Sequence, residues 1–117
     1  MRVNARLGRL HVLTDAMLQN RYSHIELAQC AFEAGCKVVQ YREKRTLPIE
    51  EICHTISALA ALSSRNNADV IVNDYVQPAL AWGASGVHIG QEDMAPADVF
   101  NLAPRGWLVG MTVHTEE

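Results

Sequence analysis

Apolar residues alternate along this chain between two rhythms: short unbroken runs, and longer stretches in which they recur every three or four positions. The runs at 10–14, 37–42, 70–73, 86–89 and 107–111 predict five strands. Runs such as Val70-Ile71-Val72 lack in/out alternation, which is the pattern of parallel strands covered on both faces. Between them lie segments of helical period, so the chain reads as repeated β-α units of an α/β fold.

The helices carry clearer start and stop signals than the strands. Ser23-His24-Ile25-Glu26 has the form of a capping box, with Tyr22 and Leu27 placed to close over it as a staple. Leu27, Ala28, Ala31 and Phe32 then form one apolar stripe, and Gly35 supplies a left-handed stop, which predicts a helix over 23–34. A second begins at Thr46 and Pro48, keeps helical spacing through Ile49, Ile52, Ile56 and Leu59, and ends in the polar stretch 63–67. A third is expected over 76–82 before Gly83, and a fourth over 96–102 before Pro104 and Gly106. No linker or low-complexity segment divides the chain, so residues 1–117 are expected to form one domain. Thr115-Glu116-Glu117 has the form of an N-cap with an acidic first turn, so a fifth helix is expected to begin there with further chain downstream.

Composition narrows the picture modestly. With 49% hydrophobic and 20% charged residues among 117, the chain has the make-up of an ordered globule. A net charge of −3 without runs of like charge gives no electrostatic footprint for nucleic acid or a membrane surface, and a small-molecule partner is expected. Cys30, Cys36 and Cys53 are odd in number and never spaced as C-x-x-C, so they read as buried small hydrophobes in a reducing compartment. No signal-peptide core or run of transmembrane length is present in these residues, and a cytoplasmic location is expected.

The chemistry-bearing residues cluster where strands end. In Gln40-Tyr41-Arg42-Glu43-Lys44, alternation sends Gln40, Arg42 and Lys44 to one side. Two cations and an amide at the carboxyl end of a buried parallel strand are costly to desolvate unless an anion meets them, and α/β ligands bind at that end. A guanidinium and an ammonium suit a diphosphate; the alternative is a solvated strand end with surface ion pairs. Asn73-Asp74 and Gln91-Glu92-Asp93 follow the next two strands, so Asp74 and Asp93 are expected on neighbouring loops. They are placed to share a Mg²⁺ ion, which takes one or two carboxylates, waters and phosphate oxygens, although either also serves as a helix N-cap.

Four ordered stretches resemble the motifs of thiamine-phosphate synthases: Val39 to Lys44, Val72-Asn73-Asp74, Gly83 to Met94, and Gly110-Met111-Thr112-Val113-His114-Thr115. The resemblance implies the N-terminal part, about five strands, of a TIM (β/α)8 barrel. It also implies transfer of hydroxymethylpyrimidine diphosphate onto a thiazole phosphate, giving thiamine phosphate and pyrophosphate. By that resemblance Gln40 meets the aminopyrimidine; Arg42, Lys44, Asn73 and Thr112 hold the diphosphate, with Arg42, Lys44 and Thr112 as the catalytic groups; and Asp74 and Asp93 bind Mg²⁺. Thr112 stands where the family commonly has Ser, and Tyr75 and Gln77 where it has Arg and Asp. His88 lies inside the longest motif but reads as a packed strand histidine. In the related thiazole tautomerases the histidine at His114 is catalytic, which leaves that activity as the alternative, alongside a non-catalytic half-barrel that binds ligand or serves in assembly. Since a whole barrel takes roughly 200 residues or more, 117 residues leave the first and fifth strands open. Self-association or a missing C-terminal half is therefore expected, with the lone chain inactive.

Overall fold

The computed structural model of the chain describes residues 11–90 and 95–111. Among these described residues five strands alternate with four helices: β1 (His11–Asp15), α1 (His24–Glu33), β2 (Val38–Arg42), α2 (Ile49–Arg65), β3 (Asp69–Asn73), α3 (Val76–Trp82), β4 (Gly86–Ile89), α4 (Pro96–Leu102) and β5 (Leu108–Met111). All neighbours are parallel, and the sheet runs in chain order from β1 to β5. A doubly wound sheet reverses its strand order at a switch point, and this one does not. The unreversed order is that of part of a (β/α)8 barrel.

The two faces of the sheet differ as the period-two rule requires. Val39 and Tyr41 on β2, Val70 and Val72 on β3, and Val87 and Ile89 on β4 pack against the helices in the main core. Val38, Ile71 and Leu108 form a smaller apolar patch on the opposite face. That second face also carries Gln40 and Arg42, which share Val38's parity along β2. Gly86 lets β4 and β5 approach, since a Cβ there would meet the Leu108 carbonyl oxygen at 2.0 Å.

Helix α1 begins as its sequence dictates. The Glu26 amide donates to Ser23 Oγ at 3.1 Å, and the Ser23 amide donates to Glu26 Oε1 at 2.9 Å, closing the capping box. Gly35 follows with φ +95°. Helix α2 starts at Ile49 after Pro48, and its buried side chains Ile52, Ile56, Leu59 and Ser63 keep the helical spacing. Ile49 itself is exposed, lying a turn before the stripe meets the sheet. Tyr22 is also exposed. The cysteines divide: Cys36 is buried and Cys53 half-buried, but Cys30 is exposed, contrary to the expectation of three buried thiols. It lies two residues past Ala28 on α1, which turns it off the stripe through Ala28 and Phe32. Among the described residues, no helix is long and apolar enough to cross a membrane.

Candidate active site

The carboxyl ends of β1, β2 and β3 bring the polar residues together. Asp15 closes β1 and lies opposite Arg42, the last residue of β2, in the parallel register. One Asp15 oxygen accepts from the backbone amides of Met17, at 2.7 Å, and Leu18, at 3.2 Å, while the other pairs with the Arg42 guanidinium. Burial pushes the Asp15 carboxyl up, but the Met17 amide, Arg42 and the Leu18 amide outweigh it and hold it below the usual carboxylate value. Asp15 was not foreseen as a partner for Arg42.

Two residues beyond Arg42, Lys44 forms an ion pair with Asp74, just past the end of β3. Between the same strands, Asn73 Nδ2 donates to Gln40 Oε1 at 3.1 Å. The predicted ladder therefore splays: Arg42 reaches towards β1, while Gln40 and Lys44 meet residues at the end of β3. Asp74 has a left-handed backbone, φ +76°, which a non-glycine residue adopts at a cost and which concentrates at functional positions. Its carboxylate does not cap α3, whose N-cap is Tyr75 and has no side-chain cap bond. That removes the N-cap alternative for Asp74. Asn73 Oδ1 is buried and has no hydrogen-bond partner among the described residues. An orphaned buried acceptor is costly unless a ligand meets it.

His88 and Gly110 are register partners on β4 and β5. A Cβ at position 110 would stand 2.7 Å from His88 Nδ1, so the glycine makes room for the ring. Together with Gln40, Ile71 and His11 they line a cavity of about 220 Å³ beside the small apolar patch. Tyr75, one of the departures from the family pattern, makes a long 3.5 Å contact from its hydroxyl to the Glu43 carbonyl. It thus touches the segment that carries Arg42 and Lys44.

The family model described as Thiamine monophosphate synthase matches residues 10–117. The chain belongs to the thiamine monophosphate synthase family. It is 36% identical over 108 residues to the thiamine-phosphate synthase of Methanospirillum hungatei, covering 92% of this chain and 52% of that protein. Its identity to the Chloroflexus aurantiacus thiamine-phosphate synthase is 41% over 106 residues, covering 91% and 48%. The solved thiamine phosphate pyrophosphorylase of Pyrococcus furiosus superposes with a TM-score of 0.80 at 32% identity, over 92% of this chain and 50% of that one. The chain spans about half the length of the curated relatives it matches. Within the family frame, Gln40, Lys44, Asn73 and Asp74 meet at the ends of two adjacent strands, with Arg42 beside them turned towards Asp15 of β1. Asp93, Thr112 and His114 lie outside the described residues. Among those described, no three His, Cys, Asp or Glu side chains gather as a metal site.

Sequence reasoning missed the group behind this site. His24, Thr14 and Glu43 form a buried hydrogen-bonded set on the helix-facing side of the sheet, closed from outside by the exposed Arg45. Two signals marked it in advance. His24 stands four residues before Ala28 on the apolar stripe of α1, and Glu43 shares the parity of Val39 and Tyr41.

Proposed function

We propose that the chain supplies the pyrimidine-diphosphate side of a thiamine-phosphate synthase, which joins hydroxymethylpyrimidine diphosphate to a thiazole phosphate and releases pyrophosphate. The observation that carries this reading is the cross-strand grouping of Lys44 with Asp74 and of Gln40 with Asn73, beside Arg42. A cation, an amide pair and a carboxylate at the carboxyl ends of parallel strands suit an anionic ligand and its counter-ion. In this reading Arg42 and Lys44 hold the diphosphate as negative charge develops on it, which is the largest source of rate in such departures. Gln40 orients the pyrimidine, and Thr112 supplies a hydroxyl to the diphosphate.

Mg²⁺ fits the oxygen donors available. Asp74 offers a carboxylate, and the unpartnered Oδ1 of Asn73 is a second hard acceptor beside it. Asp74 and Asp93 would hold the ion, which when bound adds positive charge at the leaving diphosphate. Calorimetric titration with hydroxymethylpyrimidine diphosphate, with and without Mg²⁺, tests the proposal. Binding that depends on Mg²⁺ and weakens about tenfold in Lys44→Met is expected, the loss of one charge-assisted contact. Absence of Mg²⁺-dependent binding refutes the reading.

The open strands also bear on assembly. β1 and β5 are the two edges of the sheet, and Leu13 and Met111 on them are exposed apolar residues. We infer that these edges pair with a second copy or with further barrel strands in a cytoplasmic enzyme.

A further inference from the structure

Glu43 is the most completely held charged side chain at the site, and it faces away from it. Its side chain is 1% exposed. Oε1 meets His24 Nε2 at 3.0 Å and accepts from Arg45 Nη2 at 2.8 Å, while Oε2 accepts from Arg45 Nε at 3.0 Å and the Arg45 backbone amide at 2.9 Å. His24 in turn meets Thr14 Oγ1 on β1 through Nδ1 at 2.7 Å, and its ring stands edge-on to Tyr41 with centroids 4.6 Å apart. One carboxylate therefore ties the first turn of α1, the end of β2 and, through His24, β1.

The placing of this anchor matters because the sheet reaches Arg42 but stops short of Lys44. The β2–β3 register ends at Tyr41 opposite Val72, and the β1–β2 register ends at Asp15 opposite Arg42. Lys44 lies two residues past the last pair, where no strand ladder sets its direction. Glu43 is pinned on the helix-facing side, opposite in parity to Arg42 on β2, and the turn of chain that it holds carries Lys44 to Asp74 at the end of β3. A slip of one residue would exchange the faces of all three.

We propose that Glu43, clamped by His24 and Arg45, is a positioning group that fixes the direction in which Arg42 and Lys44 meet the diphosphate. The inference rests on the diphosphate reading given above. Electrostatics alone makes the opposite prediction for Glu43→Gln: removing a negative charge beside two cations tightens anion binding. Loss of positioning weakens it. Arg45→Lys keeps the charge but loses the two-point fork on Glu43.

The probe is pyrophosphate with Mg²⁺, titrated calorimetrically into the chain, Glu43→Gln and Arg45→Lys, at a temperature where circular dichroism shows each fully folded. Weakening of about tenfold in Glu43→Gln, the low end for residues that orient ligands from behind, with a smaller loss in Arg45→Lys, is expected. A purely structural role lowers the melting temperature yet leaves the affinity of the folded protein unchanged. Unchanged or tighter binding by Glu43→Gln overturns the inference while leaving the diphosphate reading intact. If Glu43→Gln does not fold, Arg45→Lys decides, because Arg45 is partly exposed and unchanged affinity there overturns the proposal. Failure of the unmodified chain to bind pyrophosphate overturns the underlying reading and this inference with it.

Discussion

Replacing Gly86 by alanine tests the strand packing that carries the site, because its cost follows from one close approach. The new Cβ would lie 2.0 Å from the Leu108 carbonyl oxygen, 2.6 Å from its carbon and 2.7 Å from Leu108 Cβ. Real Cβ contacts stay beyond 3.0 Å, and the opposing atoms are mostly backbone, so β4 and β5 have to part by about 1 Å. That separation stretches the 3.0 Å bond from the Leu108 amide to the Ser85 carbonyl past its working range. Overpacking costs about 1–3 kcal/mol, and the lost backbone bond about 1 kcal/mol. The sum, about 2–4 kcal/mol, is a large share of the roughly 5–15 kcal/mol that holds a domain folded. Urea unfolding followed by tryptophan fluorescence reads it, since Trp107 Nε1 donates to the Ala84 carbonyl at 2.7 Å beside the affected pair. Gly106→Ala is the contrast: its φ is +85° with nothing within 4 Å of the new Cβ, so only the left-handed backbone cost of about 1–2 kcal/mol applies. A Gly86→Ala loss below that of Gly106→Ala refutes the reasoning.

Further outcomes follow from buried charges and thiols. Burial lowers the pKa of His24 below its ordinary 6.5, outweighing the upward pull of Glu43, so the unfolded chain takes up a proton that the folded chain resists. This stability is present above pH 6.5 and is lost as pH falls below it; the thermal midpoint should drop on mild acidification, and His24→Gln should flatten that step. A midpoint that rises on acidification contradicts the assignment. Burial raises Glu43, but its Arg45 and His24 hydrogen bonds bring it below 4.5, and Asp15 is likewise held below 3.8. Their contributions are present above those values and are lost as pH falls further, which a second, more acidic fall in the midpoint should register. Cys30 should react with a thiol reagent in the folded protein well before Cys36, which is buried; equal rates would contradict the exposure difference.

Much of the fold is legible because its signals are local. Strand runs, the Ser23–Glu26 capping box and Gly35 act over four or five residues, and the five strands and four helices fall within a residue or two of their expected bounds. The parity that puts Arg42 and Lys44 on one side is also local, and the family motifs mark Gln40, Asn73 and Asp74 in the same way. What each side chain meets is another matter. Arg42 pairs with Asp15 across 27 residues, Lys44 with Asp74 across 30, and Asn73 with Gln40 across 33. Those partners depend on the register between separate strands, which no local period encodes. The sequence by itself determined the alternation of elements and which residues carry charge at strand ends. Tertiary packing decided that the buried Glu43 meets His24, because only the arrival of α1 over β2 brings those two side chains within hydrogen-bond reach.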